Sequence, residues 1–158
     1  MSALSEETKQ RIRDQFPKYA DKRAVTLPAL HIVQDEHRCV SSQALREVAA
    51  LLELPPAEVY DTLSFYGFFR DESAPLGKHR VWVCRSLSCA LRGGEELLAE
   101  ISSKLGAEPG ETTTDGKITL EFAECLGACE GAPCLLVDDE CHMNMTAASA
   151  GDLIHNLQ

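Results

Sequence analysis

The sequence contains no long apolar run and no secretory signal pattern. None of its apolar segments approaches the roughly 20 residues that a membrane-spanning helix requires. The first residues, MSALSEETKQR, lack the apolar stretch that forms the centre of a signal peptide. These absences predict a soluble, intracellular protein with no direct membrane contact.

The sequence also lacks the basic surplus that nucleic-acid binding requires, since its formal net charge is −10. Residues 1–76 carry 9 basic and 12 acidic side chains, whereas residues 77–158 carry 6 and 13. The second half is therefore the more acidic half. Neither a G-x-G-x-x-G nor a Walker pattern is present, so we expect no flavin or nicotinamide site on this chain.

The cysteines are the most informative residues. Seven is an odd number, and intracellular thiols are normally reduced, which favours metal binding or catalysis over a disulfide framework. Four of them form two short pairs, Cys84-x4-Cys89 and Cys125-x3-Cys129. Two thiolates on one turn can bind the same soft metal centre, so two such turns can form a four-sulfur site.

The hydrophobic pattern divides the chain into two parts. Residues 1–70 predict four short helices in a small bundle, and residues 71–78, DESAPLGK, are typical of a linker. Residues 79–158 predict a β-α-β-β-β-α order in which each cysteine pair follows a strand. The predicted elements of this part are strands 79–84, 118–123, 134–137 and 141–143 and helices 90–105 and 147–157.

Spacing alone leaves a structural zinc site open, since such sites also use four cysteines. However, neither pair has the usual C-x2-C spacing of a zinc knuckle or of a dithiol redox site. Gly127 and Gly131 lie beside the second pair, where glycine allows backbone N–H groups to approach sulfur. A plant-type ferredoxin is excluded, because it requires C-x4-C-x2-C and a distant fourth cysteine.

The segments VCRSLSCALRGGEELLAEISSKLG and PGETTTDGKITLEFAECLGACEGAP resemble the thioredoxin-like [2Fe–2S] subunit of bacterial respiratory complex I, its E subunit. The resemblance extends through ALHIVQDEHRCVS and AEVYDTLSFYGFF and covers about residues 8 to 157. It implies an α+β chain, with an N-terminal helical bundle followed by a thioredoxin-like α/β domain.

The resemblance further implies that Cys84, Cys89, Cys125 and Cys129 hold one [2Fe–2S] cluster. The chain would then be a one-electron carrier of NADH:quinone oxidoreductase, exchanging electrons with FMN on a partner flavoprotein subunit that also binds NADH. The complex would lie with this arm on the cytoplasmic side of the membrane, and the helical half would be the docking element. The same module in a soluble NAD-linked hydrogenase or formate dehydrogenase is the alternative, and a zinc-stabilised binding module is the alternative outside the family.

Two positions depart from the family pattern. Cys134 stands where the family usually has an apolar residue, and Cys141 stands where an aromatic residue is common. We expect both to be small buried residues rather than ligands. The closeness of Cys134 to Cys129 in sequence nevertheless leaves open which of the two sulfurs binds. Cys39, in the helical half, is predicted to be a packing residue.

Overall fold

Ser5 and Ser41 cap the beginnings of two helices in the first half of the chain, and Pro56 is the first residue of a third. The computed structural model describes residues 2–157. The Ser5 hydroxyl accepts a hydrogen bond from the Thr8 N–H at 3.0 Å, and the Ser41 hydroxyl accepts one from the Ala44 N–H at 3.1 Å. These bonds satisfy N–H groups that a helix start leaves without partners. The four helices are α1 (Glu6–Arg13), α2 (Thr26–His37), α3 (Ser42–Leu52) and α4 (Pro56–Phe65).

The first unit ends at Pro75 and has its own apolar core. On α3 the residues at helical spacing are buried, as the pattern predicts. The buried Gln34 amide joins α2 to the segment after α4: it donates to the Phe68 carbonyl at 2.9 Å and accepts from the Arg70 N–H at 2.6 Å. The central core residues are Ile12, Val25, Leu30, Val33, Val48, Leu52 and Val59.

The second unit begins at Leu76 and contains a four-stranded mixed sheet. Its strands are β1 (His79–Cys84), β2 (Ile118–Ala123), β3 (Leu135–Val137) and β4 (Glu140–His142), in the spatial order β2-β1-β3-β4. β1 pairs parallel with β2 and antiparallel with β3, and β3 pairs antiparallel with β4. The parallel pair requires a long crossover connection, which the helices between β1 and β2 supply.

The helices of the second unit are α5 (Leu87–Ala90), α6 (Gly94–Leu105) and α7 (Ala147–Leu157). The prediction of one helix from residue 90 to 105 is wrong at its start. Gly93 has a φ of 91°, a left-handed conformation that interrupts the helix and separates α5 from α6. The predicted bounds of β1, β2 and α7 are confirmed, whereas β3 and β4 each differ by one residue.

One apolar core joins the sheet to α6 and α7, which pack against each other. The predicted fold class, α+β with a helical bundle followed by a thioredoxin-like domain, is confirmed. Within residues 2–157, no helix combines the length and the hydropathy that crossing a membrane would demand. The buried members of this core are Val81, Val83, Leu97, Ile101, Ile118, Leu120, Leu135, Val137, Met145, Ala150 and Ile154.

The capping bond at Ser41 yields a stability prediction. Replacing Ser41 by Ala removes the acceptor for the Ala44 N–H, and we expect the free energy of unfolding to fall by about 1 kcal/mol. Urea unfolding followed by circular dichroism measures the change. Ser64→Ala is the control, because its exposed hydroxyl bonds only to a carbonyl of the same helix. An equal loss in both variants would contradict a specific capping role.

Candidate metal centre

The sheet topology brings the starts of both cysteine loops to one edge. Cys84 is the last residue of β1 and pairs in register with Ala123, the last residue of β2. Because the two strands are parallel, the chain leaves both at the same edge of the sheet. The segment that carries Cys89, which includes the short helix α5, follows β1, and the loop that carries Cys125 follows β2. This arrangement is the one that the sequence predicted.

The antiparallel strand β3 begins at the same edge. Val83 pairs with Leu135, and the Cys84 N–H donates to the Cys134 carbonyl at 3.1 Å. Cys84, the last residue of β1, and Cys134, the residue before β3, therefore lie side by side although they are 50 positions apart in the sequence.

Three cysteine sulfurs meet in a buried pocket at this edge. Cys84, Cys89 and Cys134 are each no more than 2% exposed, and their Sγ atoms all lie within 4.8 Å of one another. The Cys89 and Cys134 sulfurs are 3.7 Å apart. The pocket is otherwise apolar, with Ala132 buried in it and Leu126 and Ala128 packed against it. We call these three cysteines the buried trio.

The buried trio includes only two of the four predicted ligands. Cys125 and Cys129 are exposed and do not belong to it, so the four-ligand set remains a prediction. The burial of Cys134 was predicted, but its proximity to Cys89 was not. The strand order explains why Cys134 lies beside Cys84. β3 runs antiparallel beside β1, so the residue before β3 lies next to the end of β1.

The other two cysteines lie outside the trio. The prediction that Cys141 is buried is wrong, because its position on the short edge strand β4 leaves it exposed. Cys39 is partly buried in the first unit, which agrees with a packing role. Burial raises the pKa of the Cys39 thiol, and the nearby Glu72 and Asp71 carboxylates raise it further.

A glycine allows the helix α6 to approach the cysteine loop closely. A Cβ atom on Gly94 would lie 2.8 Å from the Cys89 carbonyl oxygen and 3.1 Å from that of Cys84. Both distances are shorter than side chains normally tolerate, so any residue larger than glycine would displace the loop. In the second loop Gly127 has a φ of 77°, which glycine adopts without strain.

Hydrogen bonds and burial act differently on the three buried thiols. Burial raises the pKa of Cys84, but backbone hydrogen bonds from Ser86 and Leu126 outweigh it and leave this pKa below its usual value. Burial raises the pKa of Cys89, and a backbone hydrogen bond from Cys134 offsets only part of that rise. Burial and the adjacent Cys89 raise the pKa of Cys134. Cys84 is thus the thiol of the trio that is most readily deprotonated.

Paired charges surround the cysteine loops. The Arg85 guanidinium lies 3.7 Å from the centre of the Phe122 ring and donates from Nε to the Glu124 carboxylate at 3.1 Å. That partner lowers the pKa of Glu124. Glu121 is buried, accepting from the Trp82 indole N–H at 2.5 Å and from Arg80. Arginine side chains therefore pair with Glu121 and Glu124, whereas Glu130, which directly follows Cys129, is exposed.

The donor set fits a thiophilic metal centre. Thiolate–metal bonds of about 2.3 Å, the length found for zinc, place two sulfurs on one tetrahedral metal about 3.8 Å apart. The Cys89–Cys134 separation of 3.7 Å is close to that value. An apolar pocket with backbone donors also matches the surroundings that tune iron–sulfur centres.

A mixed sheet packed against α6 and α7, with three cysteine sulfurs at one edge, is typical of a thioredoxin-like domain that binds a soft metal. The chain belongs to the thioredoxin-like [2Fe-2S] ferredoxin family, whose model matches residues 12–158. This membership and the cysteine cluster support an iron–sulfur cofactor.

Two relatives at high coverage are named as subunits of NADH-quinone oxidoreductase. An NADH-quinone oxidoreductase subunit of Rhizobium meliloti (strain 1021) is 40% identical over 141 residues, which are 89% of this chain and 83% of the relative. NADH-quinone oxidoreductase subunit 2 of Thermus thermophilus is 38% identical over 131 residues, 82% of this chain and 71% of the relative.

A solved structure has the same fold in a different enzyme. One chain of an NAD+-reducing [NiFe]-hydrogenase in the H2-reduced state superimposes with a TM-score of 0.73 at 26% identity. The match covers 84% of this chain but only 22% of the hydrogenase chain. This chain therefore corresponds to about a fifth of that larger chain.

The close approach at Gly94 yields a second prediction. Gly94→Ala places a methyl group against two cysteine-loop carbonyls, and we expect a loss of about 1–3 kcal/mol in unfolding free energy together with faster alkylation of Cys89. Urea unfolding and mass-spectrometric thiol labelling measure the two effects. Gly67→Ala is the control, because no atom lies within 4 Å of its added Cβ. Unchanged labelling of Cys89 would show that Gly94 does not position the loop.

Proposed function

We propose that the chain is a one-electron carrier that holds one [2Fe–2S] cluster in the NADH-oxidising part of NADH:quinone oxidoreductase. The observation that carries the proposal is the convergence of two cysteine loops on one sheet edge in a member of the [2Fe-2S] family. The names of the relatives at 40% and 38% identity support the choice of complex.

The proposed ligands are Cys84, Cys89, Cys125 and Cys129. Cys84 and Cys89 come from the buried side of the edge, and Cys125 and Cys129 come from the exposed loop. When bound, the cluster supplies a centre that gains or loses a single electron with little ligand movement. The pair of Cys84 and Cys89 excludes water on one side, and the exposed pair leaves the other side open toward a partner.

Backbone donors and charges of this chain would set the potential of the site. The amides of Ser86 and Leu126 donate to the Cys84 sulfur, which stabilises added negative charge. Carboxylates near the loop have the opposite effect, because they repel the charge that reduction adds. Arg85 and Arg80 neutralise Glu124 and Glu121, so Glu130, exposed beside Cys129, is the carboxylate expected to matter most.

The proposed partner is a flavoprotein subunit that binds FMN and NADH. Exposed apolar side chains flank the cysteine loops: Leu87 and Leu91 lie on either side of Cys89, and each is more than 70% exposed. Such side chains suit a protein contact that also keeps water from the cluster. We also propose the helical bundle, residues 1–70, as a docking element and place the assembly on the cytoplasmic side of the membrane, in its peripheral arm.

The corresponding subunit of a soluble NAD-linked hydrogenase is a second candidate function. It is supported by the fold shared with the NAD+-reducing [NiFe]-hydrogenase chain. Purification of the native complex through a tag on this chain separates the two. Co-purifying quinone-reducing membrane subunits support the respiratory complex, whereas nickel in the purified complex supports the hydrogenase.

The ligand set gives the third prediction. We expect Ala variants of Cys84, Cys89, Cys125 or Cys129 to lose bound iron and acid-labile sulfide, because each removes one of four thiolates. Cys39→Ala, Cys141→Ala and Cys134→Ala should retain them. Iron and sulfide assays, with EPR of the reduced protein, provide the measurement. Loss of the cluster in Cys134→Ala with retention in Cys129→Ala would overturn the assignment, and bound zinc without iron would support the zinc-stabilised module.

The charge arrangement gives the fourth prediction. Glu130→Gln should raise the reduction potential by tens of millivolts, since it removes a negative charge directly beside a proposed ligand. Glu124→Gln is the matched control and should raise it less, because Arg85 already neutralises that carboxylate. Redox titration followed by EPR measures both potentials, and added salt should shrink the difference. Equal shifts would show that the arginine pairing does not influence the site.

A further inference from the structure

The buried trio contains one thiol more than the proposed cluster uses on that side of the sheet edge. Cys134 lies 3.7 Å from the Cys89 sulfur, and all three sulfurs lie within 4.8 Å of one another. Each is at most 2% exposed. Each iron of a [2Fe–2S] cluster binds two cysteine sulfurs, so three adjacent thiols are one more than a single iron of that cluster uses.

We propose that the cluster-free chain binds a single Cu(I) ion through Cys84, Cys89 and Cys134. Soft thiolates select soft ions such as Cu(I). Three thiolates complete a trigonal Cu(I) site without a further ligand, which suits an apolar pocket. Bonds near 2.3 Å, the thiolate length known for zinc, would place three sulfurs around one ion about 4 Å apart. The Cys89–Cys134 separation of 3.7 Å is close to this spacing, and none of the three sulfur–sulfur separations exceeds 4.8 Å.

The backbone holds the trio in place before any ion binds. The hydrogen bond from the Cys84 N–H to the Cys134 carbonyl, 3.1 Å long, joins the end of β1 to the residue before β3. Cys89 is held by its short helix against Gly94. A preformed arrangement lowers the ordering cost of binding. Cys125 and Cys129, which are exposed on the second loop, take no part in this site.

The site has a consequence for cluster loading. Cys84 and Cys89 belong both to the Cu(I) site and to the proposed cluster set, so the ion and the cluster exclude each other. Cys134 would therefore make the cluster-free chain sensitive to copper. This consequence rests on the proposed function, whereas Cu(I) binding by the trio does not.

The test uses the full-length chain, freed of metal and reduced under anaerobic conditions, titrated with Cu(I) against a colorimetric Cu(I) chelator. We expect one tightly bound ion per chain and three sulfur neighbours by X-ray absorption. Cys134→Ala and Cys134→Val should each weaken binding by more than about tenfold and leave two sulfur neighbours. Cys39→Ala and Cys141→Ala are the controls and should bind as the unaltered chain does, because neither residue belongs to the trio or to the proposed cluster ligands.

Two results would overturn the proposal: Cu(I) affinity unchanged in both Cys134 variants, or a loss in Cys141→Ala as large as in Cys134→Ala. Circular dichroism shows which variants are folded, and the smaller and larger replacements at Cys134 guard against a packing defect in either. Because no iron is present, failure of this test leaves the cluster assignment standing, and failure of cluster loading leaves this test valid.

Discussion

The candidate site depends on the pairing of one central strand with two neighbours of opposite direction. β1 is parallel to β2 and antiparallel to β3, so two strand ends and one strand start share a single edge of the sheet. Hydrogen bonds of the strand ladder, rather than contacts among the loops, thereby set which cysteines can meet. Any change of register would move Cys84 away from Cys134 and from the loop after β2.

Burial divides the site into two sides with different properties. Cys84, Cys89 and Cys134 lie in an apolar pocket, while Cys125 and Cys129 are exposed on the second loop. A buried side favours stable attachment, because water and competing ligands are kept out. An exposed side allows close approach of an electron donor. Both properties suit the electron carrier proposed for this chain.

Most of the fold could be predicted because the hydrophobic periodicity and the helix caps are local. Ser5 and Ser41 cap α1 and α3, Pro56 is the first residue of α4, and the predicted bounds of β1 and β2 match the structure. The error at the start of α6 has a local cause as well. The left-handed conformation of Gly93 breaks the helix, but a glycine in sequence does not reveal whether it adopts that conformation.

The amino-acid sequence by itself determined the kind of site, since paired cysteines at loop spacing beside glycines select soft metal chemistry whatever the surrounding fold. It also placed each pair after a strand. Only the tertiary structure decided that Cys134 joins Cys84 and Cys89, that Cys141 is exposed, and that Arg85 and Arg80 neutralise neighbouring carboxylates. These outcomes depend on contacts between residues that are distant in the chain, and strand pairing establishes such contacts, which local pattern does not encode.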